Sequence, residues 1–250
     1  DNGATVTARY ASSSLWRGYI WRVGQQGMRE LVVGSEYSLV GVVKAVSADG
    51  TKVYYYGYSD SDTRTLRWEP TGPQGETITP LLGALTSAPH GCTPDGRYLV
   101  GGRSVPVMVD VTGNNNTGSS WNLNLPQGFN GQSLGITQTD SNRWVVVGVV
   151  SDNSRAYPAI WRVSGVGSPG TLERITALNN SGYLSVVSAD GTKACGSTYD
   201  SDDYIDAILW RQNLPLLTLP KLQGGNQAGA CHMTADGNTI VGLATDAQGK

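Results

Sequence analysis

The chain contains few of the residues on which catalysis and disulfide frameworks depend. Its 250 residues include three cysteines and two histidines. Three cysteines allow at most one bridge, which excludes a framework built from disulfides. Two histidines, both on predicted inner strands, argue against a Ser-His-Asp triad, and the sequence has no G-x-S-x-G element and no glycine-rich phosphate loop before a helix. We therefore interpret the chain as a non-enzyme.

Low charge and the lack of a long apolar run exclude two further classes. The chain has 18 Lys and Arg against 20 Asp and Glu, a net charge of −2, and no basic stripe with which to bind nucleic acid. No apolar run approaches the roughly 18 residues of a membrane-spanning helix, so we expect no membrane insertion of this domain. Because residue 1 is Asp and not Met, we expect a processed or excised piece of a larger protein.

Glycine, by contrast, is abundant, with 33 copies, and part of it recurs with a period. A Ser/Thr-x-Asp-Gly turn or a variant of it returns at steps of 46, 45, 50 and 46 residues, and a strand containing a glycine follows each turn. Such a period indicates units that bury their faces against their neighbours. The turn aspartates are Asp49, Asp95, Asp140, Asp190 and Asp236, and the strand glycines are Gly57, Gly101, Gly148, Gly196 and Gly242.

Each repeat contains four strand-like segments: a small-residue strand, a Val/Tyr-rich strand, an aromatic strand and a short fourth strand. Trp68, Trp161 and Trp210 close the aromatic strands, whereas the second repeat has Met108 and Val109 there. Four strands separated by turn residues predict a propeller blade. We predict an all-β fold, a single β-propeller domain of five four-stranded blades over residues 231–250 plus 1–36, 37–83, 84–128, 129–179 and 180–230.

The first of these blades combines the two ends of the chain. The N-terminal segment lacks a first strand, whereas the C-terminal segment supplies a first and a second strand. Pairing of the N- and C-terminal strands would close the ring and remove open sheet edges. Two second strands then compete for one place, so we expect a surplus strand. The alternative is a segment of a longer repeat array, cut at both ends.

The small and aromatic residues have predicted packing roles. The first strands are rich in Gly, Ala, Ser and Cys, as expected where strands crowd round one axis. We interpret the third-strand tryptophans as packing residues, because buried aromatic side chains dominate core energetics. The Asp-Gly turns are interpreted as hairpin chemistry in which Gly adopts a positive φ.

Several short motifs resemble those of a known repeat family. The segment 46–50 (VSADG), the Val-Val-Gly at 146–148, the Ala-Ile-Trp at 159–161 and Leu82-Gly83 are similar to motifs of the HAF-type extracellular repeats of bacteria. The resemblance covers nearly the whole chain and implies a secreted or cell-surface protein, often the exported part of an autotransporter-like precursor, without catalytic residues. Phage tail receptor-binding modules are the alternative. Both predict adhesion or recognition at an extracellular, cell or virion surface.

The loops between second and third strands form, with the inter-blade linkers, one predicted binding face. They interleave acidic, amide and tyrosine groups, which suit hydroxyl-rich ligands. The loops differ between repeats, so we expect one composite site for a surface glycan or a protein receptor; Gln132 and Tyr183 of the linkers lie on the same face. The predicted ligand-binding residues are Glu36, Tyr37, Tyr58, Asp60, Asp62, Tyr157, Tyr199, Asp202 and Tyr204.

Metal and cofactor signals are weak. Two loops, 60–62 and 200–203, space their aspartates as Ca²⁺ ligands can be spaced, but the glycine and glutamate of a helix-loop-helix calcium site are missing. His90 with Cys92, and Cys231 with His232, resemble zinc ligands but fall on separate blades. We predict no cofactor.

Two other functions remain open. A carbohydrate-active enzyme, a glycosidase or lyase, would need two carboxylates about 5–10 Å apart. A structural spacer would need no site at all. The carboxylates that fall outside the repeat pattern are Glu36, Glu69, Glu76, Asp110 and Glu173.

Overall fold

The computed structural model describes residues 5–11, 16–22, 26–31, 39–40, 43–58, 63–70, 76–81, 89–112, 118–177, 180–199 and 205–248. Every regular element in these residues is a β-strand. Within the same residues, no helix is long and apolar enough to cross a membrane. The predicted all-β class is confirmed.

The first of two compact units comprises Asp1–Arg103 and Val107–Trp121. It contains three antiparallel sheets, called here sheet I (β1–β3), sheet II (β4–β8) and sheet III (β9–β12). The strands are β1 Thr5–Ala11, β2 Trp16–Arg22, β3 Arg29–Glu30, β4 Leu39–Val40, β5 Ala45–Val46, β6 Val53–Tyr58, β7 Thr63–Pro70, β8 Glu76–Pro80, β9 Pro89–Cys92, β10 Tyr98–Gly101, β11 Val107–Asp110 and β12 Ser119–Asn122.

The second unit comprises Ser104–Pro106 and Asn122–Lys250. It contains sheet IV (β13–β16), sheet V (β17–β20) and sheet VI (β21 and β22). The strands are β13 Asn130–Asp140, β14 Arg143–Ser151, β15 Ala156–Ser164, β16 Thr171–Arg174, β17 Gly182–Val187, β18 Lys193–Tyr199, β19 Ile205–Arg211, β20 Leu217–Thr218, β21 Ala228–Met233 and β22 Ile240–Ala244.

The strand order agrees with four strands per repeat. Sheets III, IV and V each run from first to fourth strand with consecutive neighbours paired, and in sheet II the short β4 and β5 both pair with β6 as two pieces of one first strand. At the ends of the chain, β1 pairs with β2 and β21 pairs with β22. Closure of the ring by the terminal strands therefore stays a prediction.

The glycine that recurs in the second strand lies opposite a β-bulge in the first strand. The pairing shifts by one residue next to Gly148, Gly196 and Gly242 in sheets IV, V and VI. A Cβ at any of these glycines would lie 2.0 Å from a carbonyl oxygen of the bulged strand. The repeated glycine is therefore required because the bulge brings the two backbones too close for any side chain.

Adjacent sheets within each unit pack face to face. The first strands of sheets IV and V approach so closely that a Cβ on Gly135 would lie 2.6 Å from the Ser185 carbonyl oxygen, which confirms the predicted crowding for this pair. Trp68, Trp161 and Trp210 are 5% exposed or less, so their predicted packing role is confirmed as well. Each pair of adjacent sheets within a unit encloses an apolar cluster. In the first unit, the clusters are Ile20, Leu31, Val53 and Trp68 between sheets I and II, and Tyr54, Leu81, Leu99 and Val109 between sheets II and III. In the second unit, they are Val147, Ile160, Ile208 and Trp210 between sheets IV and V, and Cys195, Ala207, Ala228 and Ala230 between sheets V and VI.

The Asp-Gly turns of sheets II, III, V and VI have the same pattern of local hydrogen bonds. In sheet V, the Ser188 hydroxyl donates to the Asp190 carboxylate over 2.6 Å, the same carboxylate accepts the Thr192 N–H, and Gly191 has φ +69°. Equivalent bonds are made by Asp49, Asp95 and Asp236, and the following glycines have φ between +64° and +65°. The predicted hairpin role of these aspartates is confirmed.

In each unit, a lysine joins one pair of consecutive turns. The Lys193 ammonium group donates to the Asp236 carbonyl oxygen over 3.0 Å and to Asn238 Oδ1 over 2.7 Å. In the first unit, Lys52 donates in the same way to the Asp95 carbonyl oxygen over 2.7 Å. Each of these pairs of neighbouring turns therefore lies side by side.

Candidate functional site

An open groove of about 260 Å³ lies between sheets IV and V, where β14 and β18 end and β15 begins. This is the rim from which the loops between second and third strands emerge in both sheets. Tyr183 and Tyr199 of sheet V line the groove, and Tyr199 is 38% exposed. Gln132, Leu134, Val149, Ala156 and Gly182 complete the lining.

Ser181 fixes the edge of this groove. Its hydroxyl accepts the Ala156 N–H over 3.2 Å, and its carbonyl oxygen accepts the Tyr199 N–H and the Thr198 hydroxyl, each over 2.8 Å. One residue thus connects the start of β15 in sheet IV to the end of β18 in sheet V. The backbone that carries Tyr199 is held in place without a ligand, which lowers the ordering cost of binding.

The neighbouring loop, Asp152–Arg155, is held by its own aspartate. Asp152 Oδ1 accepts the N–H groups of Ser154 and Arg155 and the Ser154 hydroxyl. These bonds, above all the one from the Ser154 hydroxyl, lower the pKa of Asp152 to about 2. The carboxylate is therefore charged at neutral pH and its hydrogen bonds are maintained.

Tyr157 contacts this loop and a group of neighbouring arginine and aromatic side chains. Its hydroxyl donates to Asp152 Oδ2 over 3.2 Å, and the guanidinium carbons of Arg155 and Arg174 lie 5.0 and 5.6 Å from its ring centroid. The Phe129 ring lies 6.4 Å away, and Arg174 also covers that ring at 4.9 Å. Stacking of this kind holds the aromatic and cationic side chains together at the rim.

Three of the nine predicted ligand-binding residues lie in the described part of the structure, and six lie outside it. Tyr199 lies in the groove, and Tyr157 lies in the aromatic and arginine cluster beside it. Tyr58 is the last residue of β6 and pairs with Thr63, which places it at a loop of the same type in sheet II. The remaining predicted residues lie outside the described residues: Glu36, Tyr37, Asp60, Asp62, Asp202 and Tyr204.

The sequence did not single out several residues that form this rim. Phe129, Ser181 and Arg174 carry no repeat signal, since their contacts at the rim join residues that are distant in sequence. Gln132 and Tyr183 were predicted on this face as linker residues, and both line the groove. Their signal was the polar and aromatic composition of the linkers.

The structure also describes several of the residues considered as metal ligands. No group of three or more potential metal ligands occurs among the residues that the structure describes; the aspartates of 60–62 and 200–203 fall outside them. Burial lowers the pKa of His90 to about 4 and raises that of Cys92 to about 12, so both are neutral at pH 7.

Three carboxylates considered for a glycosidase are paired with arginines. The oxygen–nitrogen distances are 3.0 Å for Glu69 with Arg67, 2.9 Å for Asp110 with Arg97, and 4.0 Å for Glu173 with Arg162. Glu76 begins β8, and Glu36 lies outside the described residues.

Antiparallel sheets of up to four consecutive strands that repeat along the chain are typical of the β-propeller class, and the solved structures similar to this chain have that fold. TolB from Acinetobacter baumannii matches 94% of this chain with a TM-score of 0.55 and 14% identity, over 58% of its own length. A putative TolB from Agrobacterium tumefaciens matches 81% of this chain with a TM-score of 0.57 and 20% identity, over 73% of its own length.

A post-proline cleaving enzyme from Rickettsia typhi is also similar, with a TM-score of 0.53 and 14% identity over 82% of this chain and 32% of the enzyme. At these identities the likeness shows the fold alone. The chain spans 58% of the A. baumannii TolB and about a third of the enzyme. No protein-family model and no curated protein sequence matches it.

Proposed function

We propose that this chain is a recognition module that binds a surface glycan in the groove between sheets IV and V. The observation that carries the proposal is the open groove with Tyr183 and Tyr199 on one side and Gln132 in its lining. Propeller-type folds host many activities, so the fold itself does not specify one. The chemistry of the groove is the stronger guide.

The groove chemistry suits a hydroxyl-rich ligand. Aromatic faces cover the apolar C–H surface of a sugar ring, and an amide pairs with hydroxyls as both donor and acceptor. The volume of about 260 Å³ is slightly below the ~300 Å³ at which pockets for drug-sized ligands begin. It fits a terminal sugar ring of a longer glycan, with the remainder lying across the rim.

The groove chemistry is not repeated at the equivalent positions of sheet IV. The residues equivalent to Tyr183 and Tyr199 in sheet IV are Gln132 and Ser151, as the strand registers show. Sheet IV therefore has no aromatic pair at the positions that Tyr183 and Tyr199 occupy in sheet V. This agrees with one composite site on an exported, surface-located protein, the setting that the HAF-type resemblance implies.

A glycan array tests the proposal with three variants. We expect the unaltered chain to bind, and Tyr183→Ala and Tyr199→Ala to bind about tenfold more weakly, because each ring contributes on the order of 1 kcal/mol beyond its buried area. Tyr19→Ala, which removes a half-buried tyrosine from β2, serves as the control and keeps full binding. Thermal melting confirms that each variant is folded.

The alternatives give different results in the same assay. Hydrolysis of an arrayed glycan that is lost in Glu36→Gln would support the carbohydrate-active enzyme. Absence of binding and of turnover would overturn the glycan proposal and favour the structural spacer. Binding that survives both groove substitutions would place the ligand elsewhere.

A further inference from the structure

Two arginines at the loop rim of sheet IV, Arg155 and Arg174, have no acidic partner within the described part of the chain. The Arg155 guanidinium donates from Nε to the Asn180 carbonyl oxygen over 3.3 Å, and its Nη2 atom is buried without a hydrogen-bond partner. Arg174 is exposed and lies over two aromatic rings. By contrast, four other arginines each lie within 4.0 Å of a carboxylate oxygen: Arg67, Arg97, Arg143 and Arg162.

The Tyr157 ring holds both guanidinium groups at this rim. The Cζ atoms of Arg155 and Arg174 lie 5.0 and 5.6 Å from its centroid, and Arg174 is also 4.9 Å from the Phe129 centroid. A guanidinium that stacks on a ring keeps its N–H donors in its own plane, where an acceptor can reach them. The two charges are therefore positioned before any ligand binds.

The acidic side chain of the neighbouring loop does not neutralise this pair. Asp152 is the one acidic residue of the loop 152–155. Its described hydrogen bonds come from the Ser154 hydroxyl, the Tyr157 hydroxyl and the backbone N–H groups of Ser154 and Arg155. Neither guanidinium is among these donors. Two positive charges thus face one carboxylate whose oxygens are already engaged.

Arg155 adjoins the groove between sheets IV and V. It immediately precedes Ala156, which lines the groove, and the carbonyl group that it contacts belongs to Asn180, two residues before the lining residue Gly182. The bond from the Ala156 N–H to the Ser181 hydroxyl holds these two segments together. A ligand that extends from the groove over the start of β15 therefore reaches this arginine.

We propose that the glycan bound in the groove is acidic, and that a carboxylate on one of its sugar rings binds Arg155 and Arg174. The inference deepens the proposed function and rests on it. A carboxylate offers two oxygens in one plane, which match the planar fork of a guanidinium. It also gives the Nη2 atom of Arg155 an acceptor that the fold does not supply, after rotation of a side chain that is only half-buried. Uronic acids and sialic acids are sugars that carry such a group.

Matched glycans test whether the carboxylate is required. The array carries an oligogalacturonate and a sialyllactose, each beside its carboxylate methyl ester, which keeps the rings and the other hydroxyls but has no charge. We expect the chain to bind one of the two acids at least tenfold more tightly than its ester, because hydrogen bonds between charged groups are stronger than those with a neutral group. The acid that binds identifies the sugar class.

Variants of the chain locate the carboxylate site. Arg174→Gln and Arg155→Gln should each weaken binding of the acid at least tenfold and leave binding of the ester unchanged, since glutamine is polar but carries no charge. Arg143→Gln is the matched control, because Arg143 is an exposed arginine at the start of β14 in the same sheet and its loss changes the net charge equally. It should leave binding of the acid unchanged. Thermal melting confirms that each variant is folded.

The outcomes separate this inference from the proposed function. Equal binding of acid and ester, both weakened by Tyr183→Ala, would overturn the inference and leave the proposed glycan groove intact. A loss of acid binding that is as large in Arg143→Gln as in Arg174→Gln would show a general effect of charge and would also overturn it. Absence of binding to every arrayed glycan would overturn the proposed function and the inference with it.

Discussion

At the scale of single residues, the glycines of the second strands are the positions that least tolerate a side chain. Gly196→Ala would place a Cβ 2.0 Å from the Tyr183 carbonyl oxygen, where backbone on both sides must move. We expect this substitution to lower the free energy of unfolding by about 2–3 kcal/mol, the upper part of the range for overpacking. Denaturant unfolding measures the loss.

Gly229→Ala is a matched control for this prediction. Gly229 also lies in a strand, in β21, but a Cβ there would meet Ser197 Oγ at 3.4 Å and nothing closer. We expect a change within about 0.5 kcal/mol, as for ordinary substitutions without a clash. Equal losses for the two variants would show that strand propensity, and not the bulge, requires the glycine.

The turn aspartates make stability depend on pH. The Ser188 hydroxyl and the Thr192 N–H lower the pKa of Asp190 to about 2, below the ~3.9 of an unfolded aspartate. The stabilisation is therefore complete above about pH 4 and is lost as the pH falls toward 2. Because the group is exposed, we expect only a few tenths to about 1 kcal/mol from this turn.

Asp190→Asn tests the linkage. The variant should be less stable than the unaltered chain at pH 7, and the difference should shrink between pH 4 and pH 2 in thermal melts. A difference that stays constant over this range would mean that the charge of Asp190 contributes nothing to the turn.

Single residues also differ in how well their roles could be predicted from the sequence. The Asp-Gly turns were predictable because their chemistry is local: each hydrogen bond joins residues two to five positions apart. The reason for the glycine period was not predictable, because the bulge that requires Gly196 lies in a different strand. The sequence shows the period but not the backbone contact behind it.

At the scale of elements, lysines connect one hairpin to the next. Lys193→Met removes the donor to the Asp236 carbonyl oxygen and to Asn238 while it keeps most of the aliphatic stem. We expect a loss of about 1 kcal/mol and faster amide exchange in the 234–239 turn, measured by hydrogen-exchange mass spectrometry. Lys193→Arg, which retains a charged donor, should exchange as the unaltered chain does; equal exchange in both variants would contradict the role of the bridge.

The packing role of the third-strand tryptophans was predicted from the sequence, whereas the aromatic cluster at the rim was not. The tryptophans of the third strands were identified because they recur, and they are buried as expected. The cluster of Phe129 with Tyr157 and Arg174 was not identified, because Phe129 occurs once in the chain and precedes β13. Contacts that do not repeat leave no periodic signal.

At the scale of the whole molecule, repeated and unrepeated residues have different tasks. Residues that recur, such as Gly196 and Asp190, hold strands and turns together. Residues that do not recur, such as Tyr183 and Tyr199, line the groove on the loop rim. The repeat therefore predicts the strands and turns, while the composition of the loops and linkers predicts Gln132, Tyr183 and Tyr199 on one face, and the structure brings them into one groove.

A stability scan of every single substitution, read out by protease resistance, tests this division most directly. The account predicts strong losses at Gly148, Gly196 and Gly242 and near-neutral effects of alanine at Tyr183 and Tyr199. The opposite pattern, in which the groove tyrosines destabilise the fold as strongly as the strand glycines do, would show that the groove is part of the packing and would contradict the account.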